Sequence, residues 1–259
     1  MKTENKIKPI NIWKSIIIFG IPGFLLYLGL TYGIPYFQNL GYKDIFLFPF
    51  FLWFPIIPLL PVSIILFRKE KKKNPTLKLA ERFRLKTITK TDWLWIIGGI
   101  LFVFVFDFII MEPVAKWMAS KPLFSAPDHF PILFHPLKEI DFPIITFLGV
   151  PLLGNWLFLI IAIILHTTAM IAEEFMWRGY ILPRQEAKYG KHAWLVNGLL
   201  WGYLVHFVMR WNFISFLPSM LITPFIAQKT KNTWVSLMIH GIPNTILWII
   251  ILTGILGIG

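Results

Sequence analysis

At 259 residues, 56% hydrophobic and 15% charged, with a mean hydropathy of +0.67, the chain is too apolar for a water-soluble domain of its length. Its net charge of +12 comes from cations clustered in a few loops between apolar runs, which argues against a nucleic-acid partner and makes charge a marker of topology. With no cysteine, the chain has no disulfide, no thiolate metal site and no cysteine nucleophile.

Crossing a hydrocarbon core of about 30 Å takes about 20 residues at about 1.5 Å each. The first apolar run, 15–33, follows Lys2, Lys6, Lys8 and Lys14. No small-residue cleavage pattern follows it and further spans do, so it reads as a retained anchor. The second run is 45–67. The loop after it, RKEKKKNPTLKLAERFRLK, mixes cations with Leu77, Leu79, Phe83 and Leu85, which suits either a segment lying on anionic headgroups or a solvated loop. The third run, 93–111, carries Asp107. The segment 112–153 is rich in Pro and Phe and too apolar for a simple exposed loop, as expected of an interfacial or re-entrant stretch or of an eighth span. The fourth run is 154–182, and the last three are 193–208, 214–228 and 234–256.

The expected fold is therefore an all-α polytopic membrane helix bundle of seven transmembrane helices, or eight. Residues 1–153 supply the first spans, the basic loop and the interfacial segment, and 154–259 the remaining spans, a core that the motifs described below mark as catalytic by resemblance, within one membrane unit. Seven spans place the N-terminal tail and the segments 68–90, 184–191 and 229–231 on one side, with 4, 10, 3 and 2 Lys or Arg. The other side has Lys43, Lys116, Lys121, Lys138 and Arg210. The positive-inside rule then puts the N-terminus in the cytoplasm and the C-terminus outside.

An ionisable side chain at membrane depth is costly and marks a functional candidate by default. The fourth span ends in AEEFMWRGY, with Glu173, Glu174 and Arg178; the fifth contains WGYLVHF, with His206; the seventh contains MIHGIPNT, with His240 and Asn244. Glu174 and Arg178 stand four apart on one helical face and are expected to pair, whereas Glu173 points about 100° away and is left to accept a proton from water. His240 and Asn244 share a face, with Pro243 between them disturbing the helix. Counted from the cytoplasmic ends of their spans, Glu173 lies about 14 Å deep, His206 about 20 Å, and His240 and Asn244 about 9 and 15 Å, so three spans bring polar groups to overlapping depths. A carboxylate, two imidazoles and an amide suit amide hydrolysis, with Glu173 and His206 polarising a water and His240 and Asn244 donating to the oxyanion. The alternative is Zn²⁺ held by Glu173, His206 and His240, although no HExxH is present.

Each of these residues also has a structural reading. Glu174 and Arg178 at a helix end make a clamp, and a buried His links helices by hydrogen bonding. His166, seven residues before Glu173, reads as supporting or structural and Asp107 as structural, while His129, His135 and His192 read as loop residues.

These motifs resemble the CAAX protease and bacteriocin-processing family of intramembrane proteases. EEFMWR matches its E-E-x-x-x-R motif and HGIPN its H-x-x-x-N motif. The middle F-x-x-x-H motif departs, with Gly202 four residues before His206 and aromatics at Trp201 and Tyr203. The resemblance covers roughly 154–256. It implies an α-helical intramembrane endopeptidase, related to the enzymes that trim prenylated CAAX proteins, and an integral protein of a prokaryotic cell membrane. Its partners would be membrane lipids and a protein or peptide substrate, lipidated in the CAAX case, and its role either CAAX-type processing or bacteriocin maturation and self-immunity. Carried over, Glu173 and His206 activate water, His240 and Asn244 form the oxyanion site, and Glu174 and Arg178 support them, with either a metallo- or a glutamate-type mechanism. The competing functions are a non-enzymatic membrane protein that binds a partner and a small transporter relaying protons through Glu and His; the absence of repeated halves counts against the latter.

Overall fold

The computed structural model describes residues 7–258 and is mostly helical. Helix α1 (Ile12–Leu28) starts at Asn11, whose side chain accepts from the Lys14 N–H, and runs through a π-helical turn, Gly29–Gly33, into α2 (Ile34–Asn39). The expected second span is divided into α3 (Asp44–Trp53) and α4 (Leu59–Lys73). Between them lie Pro55 and Pro58, which lack the N–H an α-helix needs, and residues 54–58 form turns instead.

A short α5 (Leu79–Arg82) lies in the basic loop, and α6 (Lys90–Phe106) then begins at a reciprocal cap between Thr89 and Asp92. Through a second π turn, Asp107–Met111, it continues into α7 (Glu112–Ala119). From there to Asn155 the described chain forms only short 3₁₀ turns and a two-residue hairpin, β1 (Thr146–Phe147) against β2 (Val150–Pro151). The expectation of an eighth span in 112–153 is not met: its prolines stop any helix long enough to cross.

Helix α8 (Trp156–Glu174), capped by Asn155, passes through a π segment, Phe175–Ile181, into α9 (Leu182–Tyr189). Then come α10 (Ala193–Leu204), a 3₁₀ segment Val205–Asn212, α11 (Leu217–Thr230) and α12 (Thr233–Leu256). Among the described residues four helical stretches are long and apolar enough to cross a membrane: Ile12–Asn39, Lys90–Ala119, Trp156–Asn212 and Thr233–Leu256. The second, fifth and sixth expected spans are broken, joined to a neighbour or short. Leu94, Leu101, Leu157, Ile164 and Ile249, all more than half exposed, point outward from α6, α8 and α12, which suits a hydrocarbon environment.

The two sides read from charge correspond to two ends of the bundle. At one end Arg184 donates to the Lys8 carbonyl at 2.9 Å, Arg84 grips Glu186 at 2.7 and 2.8 Å, and the Thr233 N–H donates to the Arg84 carbonyl at 3.0 Å. Lys231 also pairs with Glu186, so all four basic segments meet there. Glu70 on α4 is bound by Arg82 at 2.7 Å, by Tyr180 and by Arg184. Burial pushes the Glu70 carboxyl up, but hydrogen bonds from Arg82 and Tyr180 and the charges of Arg82 and Arg184 outweigh it and hold the group below the usual carboxylate value. At the other end Arg210 donates to the Leu123 and Ser125 carbonyls at 2.7 and 2.9 Å, and His129 to Leu30 at 2.7 Å.

Helix α1 crosses the 3₁₀ segment closely. A Cβ on Gly23 would stand 1.9 Å from the Leu204 carbonyl oxygen, so only glycine allows this approach.

Candidate active site

The last turn of α8 delivers Glu173 and Glu174, and the π segment that follows keeps Arg178 within reach. Glu174 and Arg178 are wholly buried and 3.3 Å apart, as the i,i+4 spacing predicts. The guanidinium lies 3.8 Å from the centre of the Trp201 ring, and its nitrogens make no hydrogen bond among the described residues. The ion pair and the ring face are therefore what accommodate its charge.

Glu173 is 8% exposed and less free than its position on the helix implied. Its Oε1 accepts the indole N–H of Trp177 at 3.3 Å and of Trp201 at 3.0 Å. Its Oε2 makes no direct hydrogen bond among the described residues and lies 3.9 Å from His240 Nε2. The carboxylate is thus held by one oxygen and presents the other.

Helix α10 unwinds at His206, whose backbone (φ −91°, ψ 18°) leaves the helical range. Its Nδ1 lies 3.1 Å from the Trp201 carbonyl oxygen, which can only accept, so the proton is on Nδ1 and, in the neutral ring, Nε2 carries a lone pair. His240 is set in the same way: Nδ1 lies 3.1 Å from Glu174 Oε1, leaving Nε2 toward Glu173. Glu174 therefore serves both Arg178 and His240. Asn244 donates to the His240 carbonyl at 2.8 Å, one turn back on its own helix.

Trp201 joins the cluster. Its N–H holds Glu173, its face covers Arg178, and it packs edge-on against His206 at 5.4 Å and His240 at 5.0 Å. In the sequence Trp201 stands out only as an aromatic beside the departing motif position, and Trp177 only as a variable position within EEFMWR. The available signals were the i,i+4 spacing of Trp177 from Glu173 and an aromatic adjoining Gly202. At Gly202 itself a Cβ would stand 3.2 Å from Met220, which takes up the space beside it.

His166 accepts the Trp248 indole N–H on Nδ1 at 3.1 Å, and Asp107 accepts from Ser219 at 3.1 Å. His129, His135 and His192 lie outside the α-helices, as expected of loop residues. Of the three candidate zinc ligands, Glu173 and His240 approach each other, but no three imidazole or carboxylate groups gather as a metal-binding set among the described residues.

The fold and this cluster define an all-α membrane protein with an acid–imidazole site buried between helices. Residues 155–246 match the family model described as type II CAAX prenyl endopeptidase Rce1-like, so this segment is similar to that family of membrane proteases. Comparison with curated proteins and with solved structures gave no match.

Proposed function

We propose that this protein is an intramembrane endopeptidase that hydrolyses a peptide bond of a membrane-associated or lipidated protein or peptide, with Glu173 as the general base. The observation that carries this reading is the asymmetry of the Glu173 carboxylate: two indole N–H groups hold Oε1, and Oε2 faces the Nε2 of an oriented His240. Glu173 takes a proton from water as the water oxygen attacks the carbonyl carbon, and that proton passes to the departing amine as the C–N bond breaks. His240, which takes a second proton from solvent on Nε2 before the attack and retains it, and the Asn244 amide, once released from the His240 carbonyl, are the donors assigned to the oxyanion. His206 presents its Nε2 lone pair as the second acceptor for the attacking water.

This mechanism needs no metal, and the candidate ligands do not gather as a metal-binding set among the described residues. Cleavage of a membrane-associated peptide by the purified protein in detergent is accordingly expected to persist when a zinc chelator is added. Loss of cleavage with chelator, restored by Zn²⁺, would assign the metal and replace this mechanism.

The end of the bundle where the four basic segments meet is assigned to the cytoplasm, with the C-terminus outside. A reporter that is active only in the cytoplasm, fused after Gly259, should be silent. Strong activity of that fusion would reverse the orientation.

A further inference from the structure

Among the described residues, helices α8 and α12 are joined by two side-chain hydrogen bonds. His240 Nδ1 meets Glu174 Oε1 at 3.1 Å, and Trp248 donates to His166 Nδ1 at the same distance. On each helix the two contacts are eight residues apart, about 12 Å along the axis. Midway between them stand Met170 on α8 and Asn244 on α12. One contact lies within the catalytic cluster, whereas the other has no part in the proposed mechanism.

The chemistry of that second contact is specific. An indole N–H only donates, so the His166 nitrogen facing it carries no proton and the ring's single proton is on Nε2. Trp53 stacks against the imidazole, with ring centres 6.3 Å apart and planes inclined by 30°, and Trp248 meets it edge-on at 5.8 Å. The ring is thereby fixed in plane and tautomer, and its Nε2–H makes no hydrogen bond among the described residues. A neutral donor oriented at membrane depth is suited to an uncharged acceptor such as a peptide carbonyl, because a charged partner would be costly to bury there. Seven residues separate His166 from Glu173, which brings them within about 20° of one face and about 10.5 Å apart along the axis. An extended peptide covers that distance in about three residues.

The geometry points to His166 as a substrate-binding residue, whose Nε2–H donates to a backbone carbonyl about three residues from the scissile bond of an extended peptide lying along the α8–α12 seam. Trp248 and Trp53 position it. This inference rests on the endopeptidase reading.

The test uses the full chain in detergent and a set of cleavable peptides extended by one to four residues on either side of the scissile bond. In the wild type KM should fall about 5- to 10-fold when the third residue is added on one side, with kcat changing by less than about twofold, the mark of a contact made equally in ground and transition states. His166→Leu should abolish that step. His166→Gln can still accept from Trp248 and donate to a carbonyl, so it should keep the step, and it serves as the readout if the leucine variant fails to accumulate. A wild type that cleaves the peptides with no step, a leucine variant that retains it, or a folded glutamine variant that loses it would overturn the inference while leaving the hydrolase intact. A wild type that cleaves none of the peptides would instead overturn the endopeptidase reading on which this rests.

Discussion

Glu173→Gln is expected to leave the protein folded and able to bind peptide while turnover falls by a factor of about 10² or more. The amide oxygen of glutamine can accept from Trp177 and Trp201 as Oε1 does, at 3.3 and 3.0 Å, so the two indoles need not move. What changes is the other end of the group, where an NH₂ replaces the oxygen that faces His240 and no base remains for water. Asn244→Ala should lower kcat with little change in binding, because an oxyanion donor acts mainly in the transition state. Measured turnover of Glu173→Gln equal to that of the wild type would remove the hydrolytic mechanism and favour a protein that only binds its partner.

The second large effect is on accumulation of the folded protein. Glu174 and Arg178 are fully buried, and removing either leaves the other charge without its ion partner, a change that costs about 3–5 kcal/mol at buried pairs and is comparable to much of a domain's stability. Glu174→Ala and Arg178→Ala should therefore each reduce the yield of folded protein as well as activity. Glu174→Ala also deprives His240 Nδ1 of the oxygen that sets its tautomer. In the double variant Glu174→Gln/Arg178→Met no unpaired charge is left, and yield should recover relative to either single alanine variant. Size-exclusion profiles and yields from membranes report this directly; normal accumulation of both single variants would show that the pair is no clamp.

The parts of this site that were legible in the sequence obey local rules. The pairing of Glu174 with Arg178 follows from a separation of four residues, and the grouping of the loops follows from where cations fall between apolar runs. Of the two partners of Glu173, Trp177 stands at the same four-residue spacing, whereas Trp201 was not legible, since it is 28 residues away and reaches Glu173 only because α10 packs near the end of α8. The contacts of the His240 ring were not legible either: spacing put it on one face with Asn244, and the structure turns its two nitrogens toward Glu174 and Glu173. Hydropathy could not place the break in the second span, because Pro55 and Pro58 sit among residues as apolar as any in the chain. The π segment after Glu174 also leaves no hydropathy signature, and it accompanies a site here as such segments often do.

The close approach of α1 at Gly23 bears on what can be separated from what. The family match begins at residue 155, yet the backbone leading into His206 rests against a helix more than a hundred residues upstream, and Phe19 of that helix stacks on Trp177 at 4.1 Å. The matched stretch is thus not a module that can be excised or transplanted. A chimera that exchanged the first helix for an unrelated anchor would need glycine at the crossing and a flat ring one turn away, and without them the swap would dismantle the site from outside its own motifs.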